Sequence, residues 1–447
     1  MQQFIWIIIG LLLPLFNALA WAGDTQEFTL ANGLKLIVKE DHRSPVVFSS
    51  VWYRVGSSHE PLGITGVSHV LEHMMFRGTP RFGPGELSRI IADNGGKENA
   101  ATSDDFTYYY EELPADKLAI SFKLEADRMQ HLSLDEQAFN KEIQIVMEER
   151  RLRTDDNPES KLFERFCATA YIASPYHHST IGWMNDLANM RVIDIRQWYQ
   201  TWYTPNNATV LVVGDVKSQE VYALTQQYFG PLPSRPLPVV KPQKEVEPLG
   251  KREAIVAVPA KLPYLFLGYN VPSLVTAASP SEAYALEILA ALLNGGDSAR
   301  LPTKLVRAKQ IAASTSVAYD LYSRLDGLFI LSALPAAKYN LEQVEGALLA
   351  EINSLKAKPV TPQELARSKT GLIASRTFQR DSIESQAGEI GSLISVGRFW
   401  QDAEAYSQRI QAVTAAQVQA VAKKYLSDQR LTVGKLQPLP MKSVNTG

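Results

Sequence analysis

Residues 69–73 read HVLEH, two histidines four positions apart with a glutamate directly before the second. On a helix those histidines lie one turn apart on the same face, so both imidazoles can reach one Zn²⁺ at about 2.0–2.1 Å. Glu72 sits on the same side, offset from the ligands, where its carboxylate can hold a bound water without joining the coordination shell. Zinc lowers the pKa of such a water, and a carboxylate base removes its proton as the oxygen attacks a carbonyl. A catalytic zinc takes three protein ligands and keeps one position open, so another ligand must come from elsewhere. The stretch KEIQIVMEERRLR offers Glu142, Glu148 and Glu149. Glu142 and Glu149 are two helical turns apart on one face, while Glu148 points elsewhere. One of the aligned pair can ligate and the other can support the shell through hydrogen bonds. HVLEH by itself also fits a helix with ordinary polar positions, because a chain with seven histidines meets an H-x-x-x-H by chance.

The elements that must position these groups are readable from pattern. FTLANGLKLIV gives two strand-like runs joined by Asn32-Gly33, a hairpin turn. VVFSSVWYRVGS continues as a strand, and GITGVSHVLEHMMFRGTP is helical until Gly78 and Pro80 stop it. SLDEQAFNKEIQIVMEERRLR opens with a capping box, Ser133 with Glu136, and runs as a long helix. The prolines of residues 233–250 rule out regular helix and suit an extended connector. It divides the chain into residues 23–232 and 251–440. The halves echo each other. IRQWYQTWYTPNNATVLVVGDV closes the first on Gly214, and VQAVAKKYLSDQRLTVGKLQ closes the second on Gly434, with Tyr203 and Tyr425 in equivalent places. Such self-similarity predicts a duplicated α+β unit with strands and helices in separate layers. Thr361-Pro362-Gln363-Glu364 reads as a capped helix start with proline at its first position.

The chain of 447 residues exceeds one ordinary core. Its 45 basic and 47 acidic side chains include no long basic run, which argues against a nucleic-acid partner. Residues 1–22 read as an export signal, apolar from Phe4 to Phe16, with Ala20 and Ala22 as the small pair before the cut and Ala18 with Ala20 as the alternative. The opening MQQ lacks a basic side chain, so an uncleaved anchor is the competing reading, but the apolar run is short and contains Pro14. No membrane span is then expected after cleavage. Cys167 stands alone, so no internal disulfide is possible, and it reads as a small packed side chain rather than a nucleophile. His42, His59 and His131 read as solvated, and His177-His178 as a loop.

At these residues the chain resembles the pitrilysin/insulinase family of inverted-zincin metallopeptidases, which includes mitochondrial processing peptidase. GVSHVLEHMMFRGTP is similar to that family's zinc helix, GGKENAATSDDFTYYY to the segment after it, and EIQIVMEERRLRTDDNP to the helix with the third ligand. SPYHHSTIGWMNDL, YTPNNATVLVVGDV and LLNGGDSARL are also family-like, so the resemblance spans nearly everything after the signal. It implies one zinc per chain on His69, His73 and Glu149, Glu72 as general base, and Glu142 as the second acidic residue of that helix. It implies two similar domains, each a mainly antiparallel sheet with helices packed on it, together forming half of a clamshell chamber. The second domain lacks the zinc motif. Asn99, Ala101 and Thr102 match the strand along which family members take substrate as an added strand.

One departure stands out. Active family members carry an arginine and a tyrosine seven apart, facing the zinc from another domain. Here Arg307 fits, but the tyrosine position holds Ser314, and Tyr319 comes too late. A serine hydroxyl is too short to replace a carbonyl-polarising phenol. The resulting expectation is an exported zinc endopeptidase of the bacterial periplasm, acting on short or unfolded peptides as the zinc-bearing subunit of a dimer. Its partner is a related metal-free chain, with a homodimer as the alternative. The competing classes are a non-catalytic core subunit of a larger complex, expected to have an eroded zinc motif, and a peptide-binding module that uses the strand edge without cleavage.

Overall fold

The computed structural model describes residues 24–241 and 243–440, so the export signal lies outside the described residues. The chain folds as two α+β units, each one sheet with helices packed on it. The first sheet contains β1 (Thr25–Thr29), β2 (Lys35–Glu40), β3 (Val46–Tyr53), β4 (Lys97–Thr102), β5 (Thr107–Pro114) and β6 (Ala208–Gly214). Its order is β1-β2-β6-β3-β5-β4, with β2 and β6 parallel and every other pair antiparallel. The second contains β7 (Arg252–Pro259), β8 (Tyr264–Val271), β9 (Ala312–Ala318), β10 (Gly327–Pro335) and β11 (Leu431–Leu439). Its order is β7-β11-β8-β10-β9, again with one parallel pair, β7 with β11. Apart from the extra β1, the two sheets have the same topology, as the echo between the halves predicts. The segment between the units, residues 233–241 and 243–249, contains no helix or strand.

Both faces of the first sheet are covered, which explains why its strands read as nearly continuous apolar runs. Leu36, Val38, Val47, Val51, Val210 and Val212 pack beneath the first unit's own helices. Ile37, Phe48, Trp52, Leu211 and Val213 turn to the opposite face, where Ala387 and Ile390 cover them from a second-unit helix, Ile383–Ser395. The exchange is reciprocal. The helix Pro158–Ala170, from the first unit, lays Leu162 against Val256 and Leu436 of the second sheet, and Phe166 against Gly268 and Gly434.

Several local expectations hold. Asn32-Gly33 turns the β1–β2 hairpin with Gly33 at φ 82°, and the helix Pro362–Gln379 starts on a capping box between Thr361 and Glu364. Others are corrected. The helix that carries HVLEH ends at Met74 rather than running to Gly78. The Ser133–Glu136 capping box does not form. Leu132 and Leu134 both enter the core and Arg196 takes the Leu134 carbonyl, which keeps the chain extended there. The helix begins at Glu136 instead, capped by Asp135, whose Oδ1 accepts from Ala138 N at 2.8 Å. Gly434 does not close its strand, since β11 continues to Leu439 and the glycine leaves room for Phe166.

His59 is not solvated. It is largely buried, with its ring edge-on to Trp202 at 5.4 Å, and burial lowers its pKa to about 4. His42 and His131 are exposed. His177 ends a 3-10 turn, Pro175–His177, and His178 beyond it is buried. Cys167 is half-buried, and burial pushes its thiol pKa up, away from a nucleophilic thiolate. No helix among the described residues is long and apolar enough to cross a membrane.

Candidate metal centre

The helix Val67–Met74 buries Val67, Val70, Leu71 and Met74 in the first core, which leaves His69, Glu72 and His73 on its other side. The helix Glu136–Arg150 buries Phe139, Ile143 and Val146 and crosses it with Glu142 and Glu149 turned toward the histidines. Glu149 Oε2 lies 3.4 Å from His73 Nε2 and 3.8 Å from His69 Nε2. The two imidazoles stand edge-to-face with centroids 4.8 Å apart. These three side chains are the one group among the described residues whose donor atoms all fall within 4.8 Å of one another. A tetrahedral zinc with 2.0–2.1 Å bonds needs donor separations of about 3.3 Å. Two nitrogens and one carboxylate oxygen at these spacings therefore fit zinc with little movement, and three protein donors leave a fourth position open.

Electrostatics suits the same donor set. Burial, followed by the neighbouring His73 and Arg153, lowers the His69 pKa to about 3, so the ring is neutral and able to ligate. Burial works against a charged His73 as well, but its hydrogen bond to Glu142 and the fields of Glu149 and Glu72 carry its pKa above the usual value. Glu142, almost fully buried, meets His73 Nδ1 at 3.3 Å and also pairs with Arg77. It thus holds the ring nitrogen facing away from Glu149. Arg153 pairs with Glu149 Oε1 at 2.8 Å. Arg77 has no local sequence signature, whereas Arg153 follows Glu149 by four residues, a spacing that brings helical side chains together. Glu148 is exposed and pairs with Arg151, away from the group.

Glu72 is largely buried, and burial raises its pKa. Its Oε2 accepts from the hydroxyl of Thr102, on β4. β4 is the edge strand of its sheet and pairs only with β5. Because strand side chains alternate, Ala100 and Thr102 face the HVLEH helix while Asn99 and Ala101 face the other way. Asn99 is exposed, and its Oδ1 accepts from Ala100 N at 2.9 Å. Arg307 and Ser314 lie in the second unit. Arg307 donates to the Asp297 carbonyl and to Thr303 Oγ1, not to the metal group. Ser314 is exposed on β9, the edge strand of the second sheet.

Comparison with known proteins points to zinc proteases. Residues 35–182 match the sequence model described as Insulinase (Peptidase family M16), and residues 190–372 match the Peptidase M16 inactive domain. The chain is 33% identical over 429 residues to the zinc protease PqqE of Helicobacter pylori, covering 94% of this chain and 95% of the relative. It is 25% identical over 433 residues to a probable mitochondrial-processing peptidase subunit beta of Arabidopsis thaliana, covering 95% and 80% of the two chains. A solved protease from Helicobacter pylori superposes with a TM-score of 0.87 at 32% identity, covering 93% of this chain and all (100%) of that one.

Proposed function

The chain belongs to the insulinase family of metallopeptidases, peptidase family M16, and from that premise we propose that it is an exported zinc endopeptidase acting on short or unfolded peptides. The observation that carries the reading is the convergence of His69, His73 and Glu149 beside a buried carboxylate that is none of the three, Glu72. We assign His69, His73 and Glu149 as the ligands of one zinc, Glu72 as general base and Glu142 as the residue that orients His73. Residues 23–232 form the zinc-binding unit, and residues 251–440 the related unit without the motif.

Zinc held there supplies Lewis acidity at the scissile carbonyl. The chain's own residues do the rest. The edge of β4 takes the extended peptide as an added strand, along Asn99, Ala101 and Thr102. Thr102 occupies Oε2 of Glu72 and leaves Oε1 to receive the proton of the attacking water. Burial, which raises the Glu72 pKa, makes it a stronger base than an exposed glutamate and able to return that proton to the leaving amine. Arg307 contacts substrate from the second unit. With Ser314 where a phenol would serve, we assign the chain as the zinc-bearing subunit of a dimer whose related, metal-free partner supplies the missing group. The relative named as a processing-peptidase subunit beta supports a two-chain assembly, and the signal-like residues 1–22 support a periplasmic location.

The test is hydrolysis of a quenched, unstructured peptide by the zinc-loaded mature protein beside Glu72→Gln. Cleavage that vanishes in the variant supports the peptidase and discards the need for a partner. Bound zinc without cleavage points to the partner, and a protein that binds no zinc overturns the reading.

A further inference from the structure

The three proposed ligands sit on two different helices, so their separation depends on what fixes one helix against the other. The HVLEH helix is only eight residues long and starts at Gly66, which sits at φ 89° and offers no capping side chain. Its first N–H groups have no partner within the helix, and the buried Glu60 supplies one from outside. Glu60 Oε2 accepts from Gly66 N at 2.6 Å and Oε1 from Ser68 N at 2.8 Å. The turn between Glu60 and Gly66 is itself held by Asp186. One carboxylate oxygen of Asp186 accepts from Gly63 N and Thr65 N, both at 3.2 Å, and from Thr65 Oγ1 at 2.6 Å. Thr65 Oγ1 in turn accepts from Trp183 N at 2.9 Å.

The two segments also interlock in shape. A Cβ on Gly66 would overlap the Ile181 carbonyl, and one on Gly182 would overlap the Thr65 carbonyl. Both glycines have left-handed backbone, at φ 89° and 82°. The same loop reaches the other helix. Arg150, buried and next in sequence to Glu149, donates Nη1 to the Gly182 carbonyl at 2.6 Å and to Glu164 at 2.7 Å. Residues 179–186 therefore bond to the turn that leads into one ligand-bearing helix and to the end of the other. This also gives a physical role to the STIGWMND stretch.

We propose that residues 179–186, a loop running into the first turn of the helix Met184–Asn189, set the spacing of the metal centre, with Asp186 and Arg150 as positioning residues that fix the histidine pair against Glu149. The inference rests on the zinc reading and adds a structural cause for the ligand separation. Ordinary loop anchoring would protect the fold as a whole. A spacing element acts on the metal first, because donors must be held to within about 0.5 Å of productive geometry.

The experiment measures zinc affinity of the full chain by chelator competition for wild type, Asp186→Ala and Thr65→Val, with thermal melting of each. The control is Leu289→Ala, a buried position in the second core that touches neither helix. Loss of such supporting contacts weakens metal binding by about 10–100-fold for Asp186→Ala, with Thr65→Val shifted the same way and Leu289→Ala within about twofold of wild type. The visible spectrum of the cobalt-loaded Asp186→Ala protein shifts as its ligand geometry changes, while that of Leu289→Ala does not. Folded variants that bind zinc like wild type overturn the inference alone, as does an equal loss in Leu289→Ala. A wild type that binds no zinc overturns the peptidase reading and this inference together. Thr65→Val, which changes a single hydroxyl, decides the matter if Asp186→Ala fails to fold.

Discussion

The indole of Trp52, on the first sheet, lies directly against the backbone of Gly391, on a helix that belongs to the second unit. Phe166 makes the reciprocal contact, crossing from the first unit onto Gly268 and Gly434 of the second sheet. Each sheet is thus sealed on one face by a helix of the other unit. A Cβ on Gly391 would overlap the indole ring, and overpacking of a filled core costs about 1–3 kcal/mol. Gly391→Ala should lower stability by that amount in denaturant unfolding, and Trp52→Phe added to it should recover part of the loss, a coupling expected of residues in contact. Additive effects of the two substitutions would show that the helix is not clamped there.

Thr102 gives a sharper prediction about activity. Its hydroxyl donates to Glu72, and hydrogen bonds to a charged group contribute about 1.5–3 kcal/mol. Thr102→Val, which preserves shape, should reduce kcat/KM by roughly tenfold or more at saturating zinc. Thr102→Ser, which restores the hydroxyl, should recover most of the rate. Zinc content should be the same in all three proteins. A valine variant as active as wild type would remove Thr102 from any role in aiming the base.

The same residue shows where the sequence is legible and where it is not. Helix periodicity places His69 and His73 together, and the two-turn spacing of Glu142 and Glu149 puts both on one face, because these relations are local. That β4 lies beside the HVLEH helix is a matter of tertiary packing, so the pairing of Thr102 with Glu72 has no local signature. The exchange of helices between units is equally hidden. Both faces of β3 are apolar in the sequence, but only the fold shows that the second cover comes from residues 383–395. His59 reads as a loop histidine because nothing nearby in sequence reveals Trp202 over its ring. The Ser133 capping box fails for a related reason, since Leu134 is drawn into a core assembled from distant segments.

Glu142 makes its own test of the metal centre. It faces His73 Nδ1 at 3.3 Å and pairs with Arg77, and loss of such a partner usually costs about 10–100-fold in metal affinity. Glu142→Gln should therefore weaken zinc binding by that factor in chelator competition. Glu148→Gln, an exposed neighbour on the same helix, should leave it unchanged. Equal affinities for the two variants would show that His73 needs no orienting carboxylate.

Two buried histidines each make a contribution to stability that falls in mild acid. Burial lowers the pKa of His59 from 6.5 to about 4, and that of His178 likewise to about 4. Between those values the unfolded chain binds protons at both imidazoles that the folded chain does not. Their contribution to stability therefore drops as pH falls from about 6.5 to about 4, and levels off once the folded rings are also protonated. Each ring can contribute up to about 3 kcal/mol across that window. Glu60 has the opposite sign. Burial raises its pKa to about 8, so its contribution weakens as pH rises through the neutral range. A variant comparison isolates the histidines from it. Denaturant unfolding at pH 7.5 and 4.5, with zinc chelated throughout, should show that the change from pH 7.5 to 4.5 is more favourable to the fold in His59→Gln than in wild type, and more so when His178→Gln is added. Equal changes in all three proteins would mean that neither imidazole is held neutral by the fold.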